Sequence, residues 1–379
     1  MSGAEAPGSV PGWRIGSVRG VPVYLGRSWP VIALVIVALF GPQLHDQRPD
    51  LGGVVYVVAA GYALLLLVSV LVHEASHALM GQARGYHVSR IVADLWGGHT
   101  AYEHADTSPM SSALVAVVGP LSNGVLALLS WLALPMTPDG IPQTLVAVLA
   151  WSNTLVAGFN LLPGLPLDGG HLVDALVWKV TGSRAQGMVV AGWCGRGVTV
   201  LVLAWALVLP FLRGSSPSLF TVAWAVFLAT FLWVGATSAI RAGAGLRVVG
   251  RVTVRSVARP VRIAPDSAVL GDLPVERPEP VAVHHPDRGV WGLLDEQAVG
   301  AVPESARAVT TLGSVSRAQP AGWVVEVGSF DADVAEVVAG VQASGAERIV
   351  VVSRAEPPEV GLVDVGRLAA ALHRADGDA

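Results

Sequence analysis

Six stretches of about twenty mainly apolar residues recur along this chain, and a helix needs about that length to cross the hydrocarbon core of a bilayer. They run from about Tyr24 to Leu44, Val54 to Met80, Ser112 to Leu134, Ile141 to Leu162, Met188 to Leu212 and Leu219 to Ile240. A further segment, Asp168 to Val180, is too short to span and is expected at the membrane interface. The composition agrees: 53% of the residues are hydrophobic and 14% charged, against roughly 25% charged in ordinary soluble domains. The expected fold class is a polytopic α-helical membrane protein resident in a lipid bilayer, here a cell membrane. The formal net charge is -4, and the 24 basic residues form no block that could track a phosphate backbone, so nucleic acid is excluded as the expected partner. Cys194 is the single cysteine and is read as a packing residue. The N-terminal twenty residues lack the order of a cleavable signal peptide, so insertion is expected to rely on the first span.

Cationic residues orient the spans, because short cytoplasmic loops collect Lys and Arg. With a cytoplasmic N-terminus, that side holds Arg14, Arg19, Arg27, Arg84, Arg90, Lys179, Arg184, Arg241 and Arg247, while the opposite loops hold Arg48 and Arg213. Everything after Ile240 is then cytoplasmic. Between the second and third spans, residues 88–109 alternate in polarity and carry a Gly-Gly pair, which predicts two strands joined by a turn. An open sheet edge cannot face lipid, so such a membrane-associated β-hairpin must be buried in protein or line a wet cavity. After Gly250 charges and prolines rise and no run is long enough to span. The expected division is a transmembrane domain, 1–249, and a soluble α/β domain, 250–379. The latter repeats itself: GVWGLLDEQAVGAV (289–302) is echoed by EVGLVDVGRLAAAL (359–372), and residues 256–273 more faintly by 314–338. Two similar modules are expected.

The second span ends in VLVHEASHALM, with ionisable groups where they are costly unless used. His73, Glu74 and His77 form HExxH. On a helix, residues four apart share a face, so both imidazoles can reach one zinc ion while Glu74 stands beside it as a base. By chance about one chain in a hundred of this makeup would carry the pattern, so context must support it. A catalytic zinc takes three protein ligands and leaves a position for water. The fourth span runs into FNLLPGLPLDGGHL (159–172), on the same side of the bilayer by the charge pattern. There Asp168 is read as the third ligand, and Asn160 as a side-chain donor to the peptide oxyanion.

The pair HEASH and NLLPGLPLDGG resembles the site-2 protease family of intramembrane zinc metalloproteases. VVGPLSNG (117–124) is similar to the family segment that opens its third core helix, and LWGGHTAYE to its membrane-inserted hairpin. The six-helix plan resembles the subgroup of bacterial sporulation-factor-processing proteases, and the C-terminal echo resembles that subgroup's tandem CBS modules. The resemblance implies Zn2+ as cofactor and cleavage of a substrate's transmembrane helix. It also implies that the hairpin, with Gly97 and Gly98, clamps an unwound substrate, and that the substrate is a membrane-anchored protein such as an anti-sigma factor or transcription regulator. For the CBS-like pair it implies an adenosine nucleotide. Against that, Asp295, Ala298, Asp364 and Arg367 occupy the places where nucleotide-binding modules carry Thr or Ser and Asp. A docking platform or homodimer interface is the competing reading.

Blander readings stand beside these. His171 is read as a structural neighbour of the site, Gly119 and Pro120 as a bend, Asn123 as a hydrogen bond across spans, and Arg196 as a snorkelling residue. Two other functions stay open: a CBS-regulated channel or transporter, and a catalytically silent scaffold.

Overall fold

The computed structural model describes residues 12–94, 97–103, 108–273 and 279–377; for 97–103 it describes the backbone. It divides into two compact units, 1–244 and 245–379. Part of the leader reading, residues 1–11, lies outside the described residues.

The first unit opens with a hairpin, β1 (Gly12–Val18) and β2 (Val21–Gly26), whose end from Tyr24 on falls where the sequence analysis expects the start of a span. Its two-residue loop, Arg19 and Gly20, takes positive φ at both positions (45° and 86°). That is the turn whose twist matches paired strands. The first spanning helix, α1 (Trp29–Gln47), therefore starts five residues after Tyr24, with Pro30 in its first turn, where a missing N–H costs no hydrogen bond. After α2 (Val54–Ala83) come β3 (His87–Asp94) and β4 (Gly97–Glu103), paired antiparallel. Gly97 and Gly98 open β4 opposite Asp94 and Ala93, and residues 95–96 between the strands lie outside the described residues. The strand order is β1-β2-β3-β4, with β2 and β3 parallel. Val21, Val23, Val88 and Ile91 of this sheet pack on Ala78 of α2, next to His77. The sheet thus braces the end of α2 that carries HExxH.

Helices α3 (Pro109–Ala133) and α4 (Ile141–Asn160) follow, then the short α5 (Asp168–Thr181) and α6 (Arg184–Leu203). A π-helical turn (Ala204–Val208) carries α6 on into α7 (Leu209–Leu212), and α8 (Leu219–Val249) is the last long helix. Among the described residues six helices are long and apolar enough to cross a membrane: Trp29–Gln47, Val54–Ala83, Pro109–Met136, Ile141–Asn160, Arg184–Leu212 and Leu219–Val249. Ser108 caps α3 by accepting from Ser111 N–H at 3.2 Å, ahead of Pro109. The turn from Leu161 to Leu167 is wedged between neighbours by glycines. A Cβ on Gly195 of α6 would lie 2.0 Å from the Leu165 carbonyl oxygen, and one on Gly235 of α8 would lie 2.5 Å from the Pro166 ring. Leu165 N–H donates to the Ala191 carbonyl of α6 at 3.1 Å, and Leu167, Val198 and Leu232 close a small core beneath.

The second unit holds two four-stranded sheets built to one plan. After a single helical turn, α9 (Val254–Val257), the strands are β5 (Arg259–Pro260), β6 (Arg262–Pro265), β7 (Val281–His285), β8 (Gly289–Leu294), β9 (Ser316–Ala318), β10 (Val324–Val327), β11 (Arg348–Ser353) and β12 (Val360–Asp364). The helices are α10 (Glu296–Gly300), α11 (Ala335–Ser344) and α12 (Val365–Gly377). One sheet runs β6-β7-β8-β9 and the other β10-β11-β12-β5; in each, the pairings in that order are parallel, antiparallel, antiparallel. The repeated segments 289–302 and 359–372 are the β8-to-α10 and β12-to-α12 transitions. Because β5 precedes the first module yet completes the second, the modules are stitched to each other. A shared apolar core, including Val257, Leu293, Val327, Ile349, Val350 and Leu362, covers the seam.

Candidate active site

His73 and His77 lie one turn apart on α2, both buried, and their rings meet edge to face with centroids 4.7 Å apart. Their Nε2 atoms are 3.0 Å from each other. Asp168, the first residue of α5, brings Oδ2 to 3.0 Å from His73 Nε2 and Oδ1 to 3.5 Å from His77 Nε2. These three residues offer ligand atoms that all lie within 4.8 Å of one another. Two segments separated by some ninety residues therefore converge on one point, and the glycines of LDGG explain how. A Cβ on Gly169 would strike the Leu162 carbonyl oxygen at 2.4 Å, and one on Gly170 the Leu165 nitrogen at 2.1 Å, so α5 can begin against its own preceding turn only with glycine there.

The chemistry of the donor set fits a small divalent cation. His77 Nδ1 donates to the Val115 carbonyl of α3 at 2.6 Å, and His73 Nδ1 lies against Asn123 Oδ1. With protons on both Nδ1 atoms, both Nε2 lone pairs point into the same space. An extra proton or a cation must sit between them. Asp168 Oδ2 is buried yet accepts no hydrogen bond of sound geometry, despite its nearness to His73. A proton shared by the imidazoles leaves that oxygen unsatisfied, whereas an ion satisfies all three groups. Ligands about 2.0–2.1 Å from a tetrahedral zinc stand roughly 3.3 Å apart, which matches the observed separations. Space is reserved as well: a Cβ on Gly119 would lie 2.3 Å from His77 Nε2 and 2.7 Å from His73 Nε2.

Glu74 is buried beside the two histidines on α2. Asn160 ends α4, half-buried, eight residues before Asp168. His171, nearly one turn beyond Asp168, is exposed and stands outside the three converging groups. Gly97 and Gly98 lie in β4, on the sheet braced against α2. Gly119, read from sequence as a bend, is the close approach that lets α3 pass the imidazoles. Two residues missed altogether are Ser69 and Asn153, buried at 1% and 0% exposure in apolar helices. The available signal was polarity inside a span and, for Ser69, its place one turn before His73.

A buried pair of imidazoles and a carboxylate at the meeting of membrane-length helices makes a candidate metal centre inside a bundle of membrane-spanning length, the arrangement an intramembrane metalloprotease requires. Comparison with known proteins gives the family. Residues 135–204 match the model of peptidase family M50. The chain is 30% identical over 318 residues to Rip3 of Mycobacterium tuberculosis, named as a zinc metalloprotease, covering 80% of this chain and 79% of Rip3. It is 34% identical over 192 residues to the similarly named sll0528 of Synechocystis, where it spans about half of that protein's length (51%). Among solved structures, the site-2 protease from Methanocaldococcus jannaschii is matched at TM-score 0.42 and 20% identity, over 60% of this chain and 95% of that one. The chain belongs to peptidase family M50, the site-2 proteases.

Proposed function

We propose that the protein hydrolyses a peptide bond in or near the transmembrane helix of a membrane-anchored substrate, with His73, His77 and Asp168 holding Zn2+. The observation that carries this is the convergence of two bare imidazole nitrogens and an unsatisfied buried carboxylate oxygen on one point, opposite a glycine that leaves room. Bound there, the ion supplies a Lewis acid and brings the pKa of a water to about 7. Glu74 takes the proton from the attacking water and returns it to the leaving amine. Asn160 donates to the scissile carbonyl as charge builds on its oxygen. The β3–β4 hairpin holds the substrate extended by adding a strand, with Gly97 and Gly98 beside it. A channel or transporter has no use for HExxH answered by a distant aspartate.

The test is zinc stoichiometry in purified protein: one ion per chain in the wild type, lost in His77→Ala, and retained in Glu74→Gln. A substrate then accumulates uncleaved in the membrane proteome of a Glu74→Gln strain. Stoichiometric zinc with no accumulating protein favours a silent scaffold.

The C-terminal unit, taken as cytoplasmic, is read as a CBS-like regulatory pair. A cavity of about 490 Å³ lies between its modules, with four arginines, Arg259, Arg262, Arg307 and Arg348, against two glutamates, Glu279 and Glu296, in its wall. Arg307 Nε is buried with no acceptor among the described residues. Of the acidic residues that count against a nucleotide in the sequence, Asp295 is engaged outside this wall and Asp364 is not. Asp295 caps α10 and lies 3.2 Å from Arg317, whereas Asp364 accepts from Gly366 N–H and also lies 3.6 Å from Arg348 of the wall. The wall thus favours a phosphate-bearing ligand such as an adenosine nucleotide over a bare homodimer surface. Calorimetry on the full chain should show nucleotide binding that Arg307→Met weakens at least about tenfold.

A further inference from the structure

Below His73 a closed set of polar side chains runs through three helices, and none of its outer members belongs to the HExxH or LDGG motifs. His73 Nδ1 faces Asn123 Oδ1 of α3. Asn123 Nδ2 donates to Asn153 Oδ1 of α4 at 2.7 Å and, at 3.4 Å, to the Ser69 carbonyl of α2. Asn153 Nδ2 donates to Ser69 Oγ at 2.9 Å and to the Leu149 carbonyl at 2.9 Å. Ser69 Oγ donates to the Leu65 carbonyl at 2.9 Å. Asn123 and Asn153 are both fully buried.

An amide side chain can be turned over, exchanging its oxygen for its nitrogen, so the direction of such a chain needs an anchor. Here the anchor is the α4 backbone. The Leu149 carbonyl can only accept, so the Asn153 atom beside it must be the NH2 group. Asn153 then turns its oxygen to Asn123, which must answer with its own NH2, and the Ser69 carbonyl demands the same of Asn123. The Asn123 oxygen is thereby left for His73, and an oxygen facing Nδ1 requires a proton on Nδ1. His73 Nε2 is left bare toward Asp168 and His77. Reversing any one amide sets two acceptors against each other in the low-dielectric interior, where an unsatisfied group costs about 1–3 kcal/mol.

We propose that Asn153 is a positioning residue for the metal centre: through Asn123 it fixes the tautomer of His73 from the backbone of α4, a helix that contributes nothing to the HExxH segment. The inference rests on the zinc reading above. It also explains why two asparagines and a serine are buried in spans that could have been wholly apolar. Hydrogen-bond partners that orient metal-bound histidines commonly contribute 10–100-fold in metal affinity.

The experiment measures zinc affinity by competition with a chelator of known affinity, on full-length protein in detergent, with helix content and monodispersity checked for each variant. Asn153→Leu removes the shorter of the two contacts that set the direction of Asn123, leaving only the 3.4 Å one to the Ser69 carbonyl, and should weaken zinc by about 10–100-fold. Placing Asn123→Asp in the Asn153→Leu background should restore affinity to within a few-fold. A carboxylate accepts through either oxygen and needs no partner to tell it which way to face. A residue that merely filled space would not be rescued by that change. If Asn153→Leu does not survive purification, Asn153→Ser carries the same expectation, because a serine there reaches the helix carbonyl but not Asn123. Zinc affinity unchanged in the Asn153 variant, or lost and not rescued by Asn123→Asp in folded protein, overturns the inference alone. A wild type that takes up no zinc overturns the metalloprotease reading first, and this with it.

Discussion

Gly119 shows how much can depend on a missing atom. Helix α3 passes the two imidazoles so closely that a methyl group there would occupy the space between the Nε2 atoms. Gly119→Ala ordinarily favours a helix, by roughly 1 kcal/mol in an exposed interior. Here the expected outcome is protein that keeps its helix content by circular dichroism yet retains little or no zinc by elemental analysis. Arg255 offers a different single-residue test outside the membrane. It donates to Asp331 at 2.7 Å and to Glu359 at 2.9 Å. The Arg255 guanidinium beside Asp331 holds its carboxyl below the usual carboxylate range. A group with a depressed folded pKa contributes stability that is complete above its unfolded pKa, near 3.9, and lost as pH falls through the folded value. Wild type and Arg255→Gln should therefore differ in unfolding temperature at neutral pH and converge as the pH falls below the usual carboxylate range. Added salt should shrink the difference, since these side chains are exposed.

At the level of helices and strands, the metal-holding turn depends on what lies behind it. Leu165 is seated on Gly195, and Pro166 on Gly235, so the start of α5 is aimed by α6 and α8. Gly195→Val should push the turn away and lower zinc occupancy with no change at any ligand, measurable as zinc per chain in protein that still elutes as a single species. The long spans were readable from the sequence because an apolar run of bilayer length has few alternatives; His73, Glu74 and His77 stood out as ionisable groups at helical spacing inside such a run, and the fold brings Asp168 to the two histidines. The β1–β2 hairpin was not readable. Val23, Tyr24 and Leu25 look as suitable for a span as for a strand, and the decision comes from β3, about seventy residues away, which pairs with them. Asn153 was hidden for a similar reason: a lone asparagine in an apolar helix acquires meaning only from the side chains that the fold brings to it.

For the whole molecule, the arginine and lysine distribution sets the expected disposition, with both termini and the C-terminal unit in the cytoplasm. Protease added to inverted membrane vesicles should then degrade a C-terminal epitope tag that is protected in right-side-out spheroplasts. The reverse pattern would invert the topology and with it the side from which water reaches the site. The C-terminal unit carries a further consequence in its wiring. Strand β5 lies ahead of the first module but hydrogen-bonds into the second module's sheet through β12. Deleting either half would strip the survivor of an edge or a linker, so neither half is a removable cassette. The two should melt in one transition, and a gene encoding half of the pair would yield chains that recover a complete sheet only by borrowing one from another copy.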